Sequence, residues 1–305
     1  MSMANKLCIV IFSCLIVLAA CTQGECKQKG VNPDPKVLVI GLIPEQNIFK
    51  QMERYTPLTE YLSGKTGLRI KLKVLTRYGN IIDNFVSTEM DGAFFGSFTY
   101  ALAHKKIGVE ALARPEDLKG SSTYHGLIFV RKDSRIKGIT DMKGKRFAFV
   151  DKATTAGYLL PLAYFKEQGV KDYRTYLRET YFAGTHEDVI NDVLNKKADI
   201  GAAKNTVLER LAGTNARLLR ELKILARSPD VPENGLALRK SLAASVRVAV
   251  QEALLNMHLD PAGRTVLENF GAQRFIMTTN KDYEPVFRYA REIDLNFAEY
   301  DYMNE

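Results

Sequence analysis

The sequence predicts an α/β fold of two lobes with a ligand cleft between them, and three observations carry that expectation. Short apolar runs alternate with helix-period segments along most of the chain. This βα grammar runs to about residue 124 and then begins again, so the chain holds two such sets. A body of this length is large for one hydrophobic core and comfortable for two.

At the start, Lys6 precedes the apolar run Leu7 to Leu18, too short to span a bilayer and suited to a signal-peptide core. The run ends in Leu18-Ala-Ala-Cys21, which resembles the lipobox of bacterial lipoproteins; there the cysteine becomes the new N-terminus and carries lipid. Residues 1–20 are therefore expected to be the leader and 21–35, with Gly24, Gly30, Pro33 and Pro35, a polar tether. Cys8 and Cys14 leave with the leader and a lipidated Cys21 cannot pair. Cys26 then has no mate, and no disulfide framework supports the fold.

The first set of elements opens with Val37 to Ile43, a buried strand, and Leu68 to Leu75, whose alternating apolar and basic residues suit a half-exposed one. Between them Thr56-Pro57 predicts a helix start and Gly67 its stop. Ile81 to Val86 follows as a helix, then strand 91–96 and helix 97–105. In the second set, 127–131 and 146–150 are expected strands. A helix over 156–168 follows, with an irregular start because Pro161 lies a turn inside it. Thr185, with Asp188 three residues on, opens a helix to Asn195; 198–203 is a strand and 205–211 a helix. Segments 124–131 and 225–238, the latter with Pro229 and Pro232, look like crossings between lobes. Helices over 241–257, 261–270 and 281–300 then return to the first. The predicted lobes are 36–124 plus 236–305, and 125–235. Such βα alternation implies parallel sheets, with ligands beyond the carboxyl ends of strands.

Within the second set, Phe149 to Tyr158 joins a strand to a helix through Thr154, Thr155, Ala156 and Gly157. First-turn N–H groups lack intrahelical acceptors and the helix dipole adds positive potential, so this junction suits an oxyanion. Read alone, it is as well explained as a helix cap. The net charge of +8 favours anionic partners, while the scatter of basic residues argues against nucleic acid. His104, His125, His186 and His258 lack metal-ligand spacing, and no Gly-x-Ser-x-Gly or Cys/His signature supplies a nucleophile. Ser63-Gly-Lys-Thr66 echoes a phosphate-binding loop, but Thr59 stands where that loop needs glycine. Neither an enzyme nor a bound cofactor or metal is expected.

From about Lys36 to Leu211 the chain resembles the phosphate-, phosphite- and phosphonate-binding proteins of ABC transporters, which have the type II periplasmic-binding-protein fold. The resemblance rests on Pro44-Glu-Gln-Asn47, Glu53-Arg-Tyr55, Tyr78-Gly79, Asp91-Gly-Ala-Phe-Phe-Gly96 with Tyr100, Val130 to Ser134, Asp141 to Phe149, the Thr154 segment, Gly184-Thr-His186, and Ala198-Asp199 through Val207, in that order. It implies a ligand site from Tyr78 and Tyr100 on the first lobe and Thr154, Thr155, Ala156, Gly157 and His186 on the second. Ala156 replaces a serine of the family's Ser-Thr-Ser-Gly segment. Lys204 stands where many relatives carry an aspartate, and in aminoalkylphosphonate binders acidic groups there meet the ligand's ammonium. A lysine pointing inward would repel an amine and favour a more highly charged anion; pointing outward, it is an ordinary helix-start residue. The implied function is a monomeric, lipid-anchored periplasmic protein that passes a small oxyanion to an ABC permease, or alternatively presents it to a sensor kinase or receptor.

Overall fold

The computed structural model describes residues 37–87 and 89–304; the expected leader, Cys21 and the tether fall outside the described residues. The chain enters through β1 (Val37–Leu42), α1 (Ile48–Thr66), β2 (Arg69–Val74), α2 (Asn80–Ser87), β3 (Gly92–Phe95), α3 (Ser97–Ile107) and β4 (Val109–Asp117). The short β5 (Thr123–Tyr124) leads across to β6 (Gly126–Arg131), α4 (Ile139–Met142), β7 (Arg146–Phe149), a π-helical turn (Thr155–Leu159) and α5 (Leu160–Glu167). Next come α6 (Tyr173–Tyr176), β8 (Glu179–Phe182), α7 (His186–Leu194), β9 (Ile200–Lys204), α8 (Asn205–Ala212), α9 (Arg217–Glu221) and β10 (Leu222–Arg227). β11 (Val231–Pro232) leads back to β12 (Gly235–Arg239), α10 (Ala244–Leu255), α11 (Pro261–Phe270), β13 (Ala272–Met277) and α12 (Glu284–Glu292).

Two sheets result. One has the order β13-β4-β12-β3-β1-β2 and the other β10-β6-β9-β7-β8, while β5 and β11 pair as a ribbon where the chain crosses. The first set of strands and those after the second crossing share one sheet, as a two-lobed α/β fold requires. The sheets are mixed and not parallel throughout. β1 is parallel to β2 and β3, and β7 to β8 and β9, but β12 runs antiparallel to β3 and β4, and β6 antiparallel to β9 and β10. The cause is topological: a chain returning from the second lobe inserts β12 against the direction of its neighbours.

α1 also differs from expectation. It begins nine residues before Pro57, because the Asn47 side chain accepts from the Phe49 and Lys50 N–H groups and caps an earlier start. Pro57 is tolerated inside because Tyr55, Leu58 and Leu62 bury one face against the sheet. Gly67 does stop the helix, at φ +68°. The irregular start expected near Pro161 is the π-helical turn, after which Pro161 falls in the first turn of α5, where its missing N–H costs nothing. The last predicted helix ends at Glu292, and the chain continues as a non-helical tail. Among the described residues no helix is long and apolar enough to cross a membrane.

Candidate functional site

The segment after β7 is built tightly. Asp151 Oδ1 accepts from the Ala153 N–H at 2.8 Å, and Thr154 donates to the Asp151 carbonyl through both its N–H and its hydroxyl, at 3.0 and 2.6 Å. Leu159 N–H then donates to the Thr154 carbonyl at 3.1 Å, the i to i−5 spacing of the π turn. Gly157 is required here by close packing: a Cβ would lie 2.4 Å from Val150 and 2.8 Å from the Thr154 hydroxyl. Ala156 is buried against Gly126 of β6.

This segment meets the N-terminus of α3 from the other lobe. The Phe98 N–H donates to Thr155 Oγ1 at 2.8 Å, and Thr99 Oγ1 donates to the Ala153 carbonyl at 2.9 Å. Thr155 thus serves as a cap for an orphan first-turn N–H of a helix in the opposite lobe. The Tyr124 hydroxyl lies within hydrogen-bonding reach of the Thr155 and Ser97 hydroxyls.

His186 opens α7, with Thr185 as its cap accepting from the Asp188 N–H. Its Nδ1 accepts from the Lys204 N–H at 3.2 Å. Burial, reinforced by Lys204 and Arg210 and opposed by Glu45, depresses its pKa to about 3. The ring is therefore neutral with its proton on Nε2, a fixed donor. Tyr78 packs edge-on to it at 6.0 Å between centroids. The Tyr78 hydroxyl is buried without a hydrogen-bond partner, as is Asn234 Nδ2. Burial, with Glu45 and Asp151 adding to it, raises the Tyr78 pKa well above the ordinary phenol value, which keeps the hydroxyl a neutral donor.

Lys204 points inward and is only 2 % exposed. Its ammonium donates to Glu45 Oε1 at 2.9 Å, to Glu233, and to Asn234 Oδ1 at 3.1 Å, and lies 4.4 Å from the centroid of the Tyr124 ring. Burial alone would lower the lysine pKa; Glu233 and Glu45 outweigh it and raise it above the usual value. Burial likewise opposes ionisation of Glu45, but Lys204 and Arg210 hold its pKa at about 2. The lysine's charge is thus already compensated from within the protein.

The arrangement leaves two neutral donors, the Tyr78 hydroxyl and Asn234 Nδ2, buried and unpaired, between lobes joined by direct polar contacts. A protein-family profile described as the periplasmic substrate-binding protein of phosphonate ABC transporters matches residues 40–283. The chain belongs to this family. Its members are substrate-binding transporter components and not enzymes. Among periplasmic phosphonate-binding relatives, the protein from Escherichia coli is 25% identical, with 82% of this chain and 75% of that one covered. The crystal structure of a binding-protein component of a Pseudomonas aeruginosa phosphonate transporter superposes with a TM-score of 0.79 at 23% identity, over 86% of this chain and 87% of that one. That of a Prochlorococcus marinus protein in complex with methylphosphonate gives 0.75 at 23% identity, over 85% and 99%.

The residues expected from the resemblance to phosphonate-binding proteins divide into two groups. Thr154, Thr155, Gly157, Tyr78, His186 and Lys204 lie on segments that meet between the lobes. Tyr100 does not join them. Its hydroxyl donates to Asn280 at 3.3 Å and its ring packs on Tyr283 and His104, all on the first-lobe side. The Phe98 N–H and the Thr99 hydroxyl meet the second lobe instead. Ala156 faces the second-lobe interior. Sequence reasoning missed Glu45, Tyr124, Glu233 and Asn234 as cleft residues. Glu45 lies within a quoted motif and the other three in the crossings, where two-lobed proteins place groups reachable from both sides.

Proposed function

We propose that this periplasmic substrate-binding protein captures a small tetrahedral oxyanion, phosphate, phosphite or a simple alkylphosphonate, between its lobes for delivery to an ABC permease. The observation that carries the reading is a pair of buried neutral donors without internal acceptors, the Tyr78 hydroxyl and Asn234 Nδ2, with the neutral His186 ring edge-on to Tyr78. A buried donor left unpaired costs about 1–3 kcal/mol, which an oxyanion with several acceptor lone pairs offsets. The nearby charges balance, with Glu45 and Glu233 against Lys204 and Arg210, so directed donors decide recognition instead of net charge. The relatives point the same way, one being named for phosphonates and another crystallised with methylphosphonate.

Calorimetric titration of residues 22–305 with phosphate, phosphite, methylphosphonate and sulfate tests the proposal. Saturable binding of at least one of the phosphorus oxyanions is expected, and silence toward all of them would refute it. The lipid anchor belongs to the same proposal, because a tethered binding protein stays near its permease. Radiolabelled palmitate should enter the full chain and not Cys21→Ala; equal labelling removes the anchor from the reading.

A further inference from the structure

β2 carries Arg69, Lys71 and Lys73 at every second position. Ile70, Leu72 and Val74, which alternate with them, turn onto the cluster that holds Leu58 and Leu62 of α1, so the three cations share the opposite face. Positions two apart on a strand are about 6.6 Å from one another, which makes a basic stripe about 13 Å long. Arg69 and Lys71 are exposed and Lys73 is half-buried. None of the three has an ion pair or a side-chain hydrogen bond among the described residues. Across the ladder β1 sets Val37, Val39 and Gly41 opposite them, and β2 is the last strand of its sheet, so no carboxylate faces the stripe from a neighbouring strand. Asp91, on the far side of β1, is taken by the Val39 N–H at 2.9 Å. A sheet edge can be blunted against pairing by a single charge, whereas three unpaired cations in a row repel one another and suit an anionic partner.

We propose that this stripe is a docking surface for the headgroups of an anionic lipid bilayer. The place where the chain enters the body favours that occupant. Val37 pairs with Arg69, and Cys21, the expected site of lipid, lies 16 residues before Val37. At no more than about 3.6 Å per residue, that length keeps the β1–β2 edge within about 58 Å of the anchor, and no other part of the body is nearer to it along the chain. A plane of phosphodiesters, one negative charge to each headgroup, can meet all three cations of a straight row at once. A single small oxyanion meets only one or two. The cleft stays clear, because the site lies past the carboxyl end of β1, at Glu45, and the stripe runs along the edge of the sheet. The inference goes beyond the oxyanion reading and does not depend on it.

The test is cosedimentation of residues 22–305, which carry no lipid, with phosphatidylcholine vesicles that contain or lack phosphatidylglycerol. Binding should require phosphatidylglycerol and weaken as salt is raised. A basic side chain close to such a surface contributes about fivefold in affinity, so Arg69→Gln, Lys71→Gln and Lys73→Gln combined should lose roughly a hundredfold. The same loss of charge on exposed positions of the second lobe, Lys137→Gln, Lys143→Gln and Lys171→Gln combined, should change binding by less than about twofold. Lys71→Glu alone, which alters one exposed side chain, should lose at least about fivefold and decides the matter if the first triple variant does not fold. The proposal is overturned if phosphatidylglycerol vesicles bind no protein, if the two triple variants lose affinity equally, or if Lys71→Glu binds as wild type does. Release of the protein by methylphosphonate would also overturn it, since the headgroup would then sit in the cleft.

Discussion

At the scale of single residues, the proposed site uses neutral donors, and His186 is where that neutrality can be read out by pH. Its folded pKa of about 3 lies below the value near 6.5 of a free histidine. Between those limits the unfolded chain binds a proton that the folded chain refuses. The contribution is thus fully present above pH 6.5 and lost as pH falls, at about 1.4 kcal/mol per unit once well below 6.5. Glu45, held down at about 2, adds a loss of the same sign below its ordinary value near 4.5. Stability should therefore drop between pH 6.5 and 5 by roughly 2 kcal/mol in wild type, and the drop should shrink in His186→Gln. A His186 imidazole that titrates near 6.5 by NMR would contradict the buried, neutral ring. The sequence made His186 and Lys204 visible as positions but not their environments. Glu45 lies 159 residues from Lys204, and Glu233 sits in a crossing whose only local signal was proline. What a lysine means depends on such partners, and pairings over that separation leave no periodicity to read.

At the scale of elements, helices with strong caps and clean apolar faces were legible, as 185–195 and 261–270 show, and so was the alternating edge strand β2, whereas several more polar strands were not. β4, with Glu110, Arg114 and Pro115, and the edge strands β10 and β13 carry too much polarity for their run lengths to stand out. The final helix was overextended because Leu295, Phe297 and Tyr300 continue an apolar rhythm after the backbone has left helical geometry at Asp294, φ +58°. Those residues instead form a strap across both lobes. Tyr300 donates to the Lys152 carbonyl at 2.7 Å, and Asn304 accepts from the Lys152 N–H at 3.0 Å and donates to Asp151 at 2.8 Å. On the first-lobe side Tyr302 donates to Asp83 at 2.9 Å, while Phe297 and Tyr300 cover Phe98. The strap thus supports the turn that presents Thr154 and Thr155. Deleting residues 297–304 should cost about 2–4 kcal/mol, from three half-buried aromatic rings and their hydrogen bonds, measured by urea unfolding. An unchanged midpoint would show that the tail rests on the surface without supporting it.

At the scale of the whole molecule, the contacts that must break for the lobes to separate can be told from those that need not. Phe98 to Thr155, Asn47 N–H to Glu187 at 2.8 Å, Arg210 to Gln46 at 2.6 Å and Lys204 to Glu45 all join one sheet's elements to the other's. Glu233, by contrast, lies in the second crossing, so Lys204 can keep that partner as the lobes move, while its bond to Glu45 has to open. The pair Lys204–Glu45 is therefore specific to the closed arrangement, and a charged hydrogen bond of this kind is worth about 1.5–3 kcal/mol. Substituting Glu45→Gln should leave the fold intact, since Glu233 still compensates the lysine, and should shift the population toward the open form. Two consequences follow from that shift. Oxyanion affinity should fall by roughly tenfold or more, because ligand binding must now supply the closing free energy. A distance probe between residues 137 and 281, one on each lobe, should report a longer mean separation without ligand and recovery of the wild-type value at saturation. Unchanged affinity together with an unchanged separation would mean that Glu45 only compensates charge and takes no part in closure.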